Sequence, residues 1–362
     1  MKKIFITLIS FFACALMVSA QSTKVKVLID NDFCGDPDGL FALAQQALCP
    51  TTDIVGIVGG HLKDNAGFTT RKDQATESVE NANALLNVMG LKGKYKVVTG
   101  AESGMTSADK PIESEGARLI IAEAKKCSPD KPLFVTCGAA LTNVASALLI
   151  DPSISKNIVI VWIGGQEYSF GAVPPPGYST VEYNLNLSIP AGQVVFNKSD
   201  VRIWQIPRDV YRQCLYSTAE MHAYVKPCGK LGAYLSNSID KVIDTCEKFG
   251  IAMGETYIMG DSPLVLLTSL QSGFEADPSS SFWHPTPCPI IDNNGLYQPN
   301  PSGRIIRVYT QIDTRLIEVW HSYGRDIHNG RLSTCTANFF AEWFRSRPKQ
   351  FVLASYPMSY HR

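Results

Sequence analysis

No two cysteines in this sequence stand in CxxC spacing, although ten are present. Structural zinc of the ribbon or knuckle kind needs such paired thiolates and is not expected. Charge of one sign is not in excess either: 33 lysines and arginines balance 33 aspartates and glutamates. No basic field therefore exists to gather nucleic acid, and none is expected as a partner. Past the first twenty residues no apolar run is long enough to span a bilayer. Internal repeats and low-complexity tracts are missing too, which leaves out solenoids and arrays. What remains is an ordinary globular composition, 45% apolar and 18% charged over 362 residues. That length can bury a sizeable core.

The N-terminus reads as a processing segment. Lys2 and Lys3 precede the apolar run IFITLISFFACALMV, and VSA ends at Ala20 with small residues before Gln21. Residues 1–20 are expected to be a secretory signal peptide, and residues 21–362 a single domain. A lipoprotein cut before Cys14 fits less well. FFA lacks the usual aliphatic residue there, and apolar sequence continues beyond it. The mature chain is expected to be periplasmic or secreted. Nine cysteines would remain, at irregular spacing. Cys49, Cys137 and Cys246 read as small buried side chains, with one or two incidental bridges open to the others.

From residue 25 onward strands and helices alternate. VKVLID, DIVGIVGG, KVVTG, PLFVTCG, NIVIVWIGG and VRIWQIP read as strands. LFALAQQAL, DQATESVENANALLNVM, EGARLIIAEAKKC, LTNVASALLI and AGQVVFNK read as helices between them. This order predicts an α/β fold, an open and mostly parallel sheet with helices on both faces. VPPPGYS at 173–179 reads as a stiff loop. Residues 272–304, rich in Pro, Ser, Asn and Gly, read as a long surface loop or small irregular insertion. RIIRVYTQI adds one more strand. Residues after about 320 form a C-terminal extension, with packing onto the core or an oligomer contact as the roles open to it.

Ligands in such sheets bind beyond the carboxyl ends of the strands. Asp30, Asp32, Asp36 and Asp38 follow the first strand within nine residues. His61, Asp64 and Asn65 follow the second. Gly138, Thr142 and Asn143 follow FVTCG; Gln166, then Glu182, Tyr183 and Asn184, follow VWIGG; and Asp261 lies in GDSP. Carboxylates gather at this edge without matching bases, which is how a hard divalent cation site looks. Plainer roles exist for each residue. One aspartate can begin a helix, but four exceed what one helix end can use. Asp261 before Ser-Pro can mark a helix start. Thr142 and Asn143 can cap LTNVASALLI, Glu182 and Asn184 can be loop polars, and His61 can be a bonded structural residue.

IDNDFCGDPDG, AALTNVASALLIDP, VWIGG, VEYNLNLSIPAGQVVFN and GDSPLVLL occur in an order that resembles the inosine–uridine-preferring nucleoside hydrolases. The resemblance spans roughly residues 24–270. It implies a Rossmann-like fold holding Ca²⁺ and cleaving the N-glycosidic bond of ribonucleosides with water. By position it implies that Asp32 ligates calcium and takes the proton of the attacking water, with Asp30 supporting it at the strand end. Asp261 matches a late calcium ligand, and Gly138, or Cys137 with a one-residue shift, matches a carbonyl ligand. Glu182 and Asn184 match ribose-holding residues, with Tyr183 in place of a phenylalanine. Asp38 falls at the first of the family's paired aspartates, as ribose contact or ligand, and Gly39 at the second. Asp36 is the candidate stand-in ligand for Gly39.

The chain also departs from the family pattern. Its acidic turn is two residues longer. Gly260 replaces a histidine that can protonate the leaving base, and Pro176 replaces an asparagine. His61 and Asn65 compete for one asparagine position. His61 and His284 are therefore candidate acids, and Trp283 a candidate stacking surface. The expected activity is calcium-dependent hydrolysis of ribonucleosides or related ribosides. Cleavage of another glycoside, or non-catalytic binding of sugar or nucleoside, are the alternatives, and a homo-oligomer is compatible with either. Mass spectrometry of the exported protein should find a mature N-terminus at Gln21; an intact Met1 or a lipidated Cys14 would remove the cleaved-signal reading.

Overall fold

The apolar run at Val25–Asn31 forms strand β1, and the alternation of its side chains defines the two sides of the molecule. Val27 and Ile29 enter one buried cluster and Leu28 enters the other. A computed structural model describes residues 24–314 apart from 65, 175, 179–180 and 270–280. The signal segment, Asn65 and the C-terminal extension lie outside the described residues.

After β1 come α1 (Asp38–Leu48), β2 (Thr52–Gly59), α2 (Gln74–Val88), β3 (Val97–Thr99), α3 (Glu115–Ala124), β4 (Leu133–Cys137), α4 (Thr142–Ile150) and β5 (Ile158–Ile163). Next are α5 (Tyr183–Leu187), α6 (Ile189–Gln193), β6 (Arg202–Ile206), α7 (Arg208–Tyr211), β7 (Leu215–Ser217), α8 (Thr218–Glu220), α9 (Gly229–Lys248), β8 (Thr256–Ile258) and α10 (Ser262–Ser269). The described chain ends with β9 (Phe282–Pro287), β10 (Ile290–Ile291), β11 (Tyr297–Gln298) and β12 (Ile305–Gln311).

An eight-stranded sheet runs in the order β3-β2-β1-β4-β5-β6-β12-β9, parallel except for the last pair. Helices α1, α2, α9 and α10 pack on one face, and α3 and α4 on the other. Every residue of β5, IVIVWI, is buried, as a strand covered on both faces requires. The expected α/β architecture is therefore present. No helix among the described residues is long and apolar enough to cross a membrane.

Two expectations change. The 272–304 stretch is not all loop: β9 pairs antiparallel with β12 at the sheet edge, and β10 with β11 form a small hairpin. Pro285 and Pro287 are tolerated in β9 because an edge strand need not donate on its outer side. The segment around Glu182 is also ordered. The Glu182 carboxylate accepts from Leu185 N–H and caps α5, a helix too short to leave a periodic pattern. No disulfide joins the eight described cysteines to one another; Cys49 and Cys137 are buried and Cys246 only partly so.

A buried ion pair fixes α7 against the loop after β5. Arg208 donates through Nε and Nη2 to the two carboxylate oxygens of Glu167, each at 2.6 Å. Their side chains are only 5% and 7% exposed. Burial pushes the Glu167 carboxyl up, and Arg208 more than reverses that, leaving it below the ordinary range. A carboxyl lowered in the folded state stabilises folding above its unfolded pKa, and that contribution fades as pH falls. Glu167→Gln should cost about 3 kcal/mol near neutral pH by removing the carboxylate charge that faces the buried Arg208. In thermal melts the gap to wild type should narrow below about pH 4; a gap constant with pH would assign the loss to packing alone.

Candidate functional site

Alternation along β1 separates residues that are neighbours in sequence. Asp30 points to the α4 side, where its Oδ1 accepts from Asn143 Nδ2 at 2.9 Å. Its Oδ2 has no partner among the described residues, and burial pushes the carboxyl up to about 7. Asn31 points to the opposite side. Its Nδ2 donates to Asp261 Oδ2 at 2.6 Å, and its Oδ1 accepts from Asp32 N–H at 2.8 Å. Asp30 thus ties the strand end to α4, while Asn31 faces the acidic cluster.

The longer turn uses its extra residues to dock on α2. Phe33 is buried in the core and its carbonyl accepts from Asn81, while Cys34 N–H donates to Ser78 Oγ at 3.2 Å. Gly35 N–H closes the turn on Asp32 O at 2.7 Å. Asp36 then accepts from the Tyr257 hydroxyl at 2.7 Å, and Asp38 Oδ2 accepts from Asp261 N–H at 3.0 Å. Asp32, Asp36, Asp38 and Asp261 lie near enough to act on one another electrostatically.

The charged neighbours acting on Asp32 and Asp38 are all carboxylates. Burial first, then repulsion from Asp261 and Asp36, hold both well above the usual carboxylate range. Burial likewise pushes Asp36 to about 6 and Asp261 to about 7, the latter opposed by the Asn31 hydrogen bond.

Two glycines make room for Asn31. A Cβ on Gly138 would stand 2.4 Å from Asn31 Oδ1, and one on Gly39 would stand 3.0 Å from both Asn31 Nδ2 and Asp261 Oδ2. A carboxylate at position 39 could not be fitted without moving both. The cluster's oxygen donors, with acidic neighbours only, suit a hard divalent cation in their chemistry. Among the described residues, however, no three such side chains close into a ligand set.

The EYN triplet divides. Glu182 is 0% exposed. Its Oε2 accepts from Gly165 N–H at 2.8 Å and Leu185 N–H at 3.0 Å, and its Oε1 from the Tyr211 hydroxyl at 2.9 Å. Burial raises its pKa and these bonds oppose the rise. Asn184 donates to the carbonyls of Gly138 (3.2 Å) and Ile163 (2.9 Å), joining the ends of β4 and β5. Tyr183 is 44% exposed, at the rim, where Asp32 and Asp36 add to burial in raising its phenol pKa.

His61 is buried, with Nδ1 on Leu62 O and Nε2 on Thr142 Oγ1, and burial lowers its pKa. Both ring nitrogens are therefore engaged in structural bonds. Thr142 and Asn143 are not helix caps; Asn143 Oδ1 accepts from Ala101 N–H while its amide serves Asp30. Gln166 binds Gly295 O. His284 and Trp283 lie on strand β9 rather than on a loop. Five strand spacings separate β9 from β1 in the sheet order, roughly 24 Å at the usual interstrand distance. His284 stacks on Phe170 there, and Arg307 covers Trp283.

Asn31, Tyr211 and Tyr257 had not been singled out in the sequence. Period-two alternation could have set Asn31 apart from Asp30. Tyr211 and Tyr257 reach the site only through tertiary contacts and leave no local signal.

Comparison with known proteins bears on the family and the fold. A family model described as inosine-uridine preferring nucleoside hydrolase matches residues 27–267. A probable uridine nucleosidase 2 of Arabidopsis thaliana is 32% identical over 136 residues, 37% of this chain and 40% of that protein. The match thus spans well under two thirds of that relative's length. Among solved structures, a purine-preferring ribonucleoside hydrolase from Gardnerella vaginalis superposes with a TM-score of 0.64 at 20% identity, over 84% of this chain and 98% of that one. An inosine-uridine preferring nucleoside hydrolase from Bacillus anthracis gives 0.59 at 13% identity, over 84% and 99%. These structural likenesses bear on the fold, and the sequence match carries the membership: the chain belongs to the inosine-uridine preferring nucleoside hydrolase family.

Proposed function

We propose that this protein is an exported, calcium-dependent hydrolase of the N-glycosidic bond of ribonucleosides or related ribosides. The observation that carries the reading is the group Asp32, Asp36, Asp38 and Asp261, buried or nearly so at the carboxyl edge of the sheet with only acidic charged neighbours. So much like charge is tolerable when a cation or protons neutralise it.

Cleavage passes through a ribosyl group with cationic character at the anomeric carbon. Water adds to that carbon, the C–N bond breaks, and the base leaves with the electron pair. A hard divalent cation would neutralise the carboxylates and orient water and sugar hydroxyls. Asp32, at 9% exposed slightly more open than Asp38 and Asp261, accepts the proton of the attacking water. Asp38 and Asp261, tied through the Asp261 amide, hold the opposite wall. The segment Glu182–Asn184 borders the sugar. The engaged ring nitrogens of His61 favour a structural role for it over that of leaving-group acid.

Incubating the mature protein with a panel of nucleosides should release free ribose. Chelation with EDTA should abolish release and calcium should restore it. Asp32→Asn should lower kcat by at least about a hundredfold, the scale of a lost general base, with KM changed far less. Calcium-dependent binding of a carbohydrate without ribose release from any nucleoside would favour a binding protein instead.

A further inference from the structure

The two histidines that the sequence offers as donors to a leaving base are committed elsewhere. Both ring nitrogens of His61 are engaged, on Leu62 O and Thr142 Oγ1. His284 lies on β9, the last strand in the sheet order, stacked on Phe170. Gly260, against which Asp38 and Tyr211 pack, has no side chain to offer. Two tyrosines near the acidic cluster are occupied as well. Tyr257 donates to Asp36 at 2.7 Å, and Tyr211 donates to Glu182 at 2.9 Å.

Tyr183 differs from all of these. It is the first residue of α5, between Glu182 and Asn184. Both neighbours are held in the interior. Glu182 accepts from the N–H groups of Gly165 and Leu185, and Asn184 donates to the carbonyls of Gly138 and Ile163. The start of α5 is thereby fixed to the ends of β4 and β5, and Tyr183 is presented from a rigid mount. Its side chain is 44% exposed. Among the described residues its hydroxyl takes part in no hydrogen bond. Asp32 and Asp36 nevertheless act on the phenol electrostatically, so it lies within the field of the acidic turn.

Displacement at an anomeric carbon puts the entering water and the departing group on opposite faces of the sugar. Water taken by Asp32, which is 9% exposed, sits on the buried side. The base then leaves on the open side, toward the rim where Tyr183 stands.

We infer that the Tyr183 hydroxyl donates a hydrogen bond to the base as its bond to the sugar breaks. The electron pair of the C–N bond goes to the ring nitrogen, and the charge spreads to the acceptor atoms of the base. Tyr183 keeps its proton and supports that charge. One proton of the attacking water goes to Asp32. On release the base takes a proton from solvent, and Asp32 returns its own to solvent. Burial and the nearby carboxylates hold the phenol pKa up, which keeps Tyr183 a donor at neutral pH. A donor aimed at charge that develops only in the transition state raises kcat rather than ground-state binding. The favoured substrates are ribosides whose base leaves as a delocalised anion.

The inference rests on the riboside reading above, and two kinds of substrate separate them. The mature protein in calcium is assayed with uridine and inosine, and with p-nitrophenyl riboside, whose nitrophenolate leaves without a donor. Tyr183→Phe removes only an exposed hydroxyl that has no bond to lose. It should lower kcat on the nucleosides about ten- to hundredfold, the scale of a hydrogen bond to a charged group, with KM changed far less. On p-nitrophenyl riboside the loss in kcat should be much smaller. An equal loss on both kinds of substrate overturns the inference, because a sugar contact or a damaged site would show in both. Unchanged kcat on the nucleosides overturns it too, as does a wild type that cleaves p-nitrophenyl riboside and no nucleoside. In those cases the hydrolase reading stands. A wild type that cleaves neither kind of substrate defeats both.

Discussion

Mutual repulsion among Asp32, Asp36, Asp38 and Asp261 is the constraint around which the site is arranged. Each has lost most of its water, and each carboxylate raises the cost of ionising the next. The chain answers with donors brought from far away. Asn31 donates to Asp261 across 230 residues, Tyr257 donates to Asp36 across 221, and the Asp261 amide donates to Asp38 across 223. These bonds join the first strand's turn to the start of α10, so the site and the packing of α10 against α1 are one structure.

The same need for closeness explains the glycines. Gly138 and Gly39 are small where Asn31 must lie between β4 and the first turn of α1. Gly260 is small where Tyr211 and Asp38 both pack against it. Departures from the family pattern at positions 39 and 260 therefore have local physical partners in this chain. Each missing side chain is matched by a neighbour that fills or faces the space.

Much of the fold was readable because a parallel sheet leaves strong signals. β5 is one continuous apolar run, α4 follows β4 closely, and β1 enters an acidic turn at the edge where ligands bind. The short α5, the edge strand β9 and the hairpin β10–β11 were not readable. Five residues are too few for helical periodicity, and prolines in β9 mask a strand that depends on β12 for its pairing. In the site, the aspartates were legible by residue type and spacing. Tyr211 and Tyr257 were not, since neither their sequence neighbours nor their period marks them.

By itself, the sequence determined the α/β order, the edge where charge collects and the aspartates that collect there. It could do so because side-chain period and residue chemistry are local properties. Only the tertiary structure decided that Asp30 and Asn31 face opposite ways, that Glu182 is sealed beneath Tyr211, and that both nitrogens of His61 are engaged. Those outcomes depend on which helix covers which face of the sheet and on contacts between residues scores of positions apart.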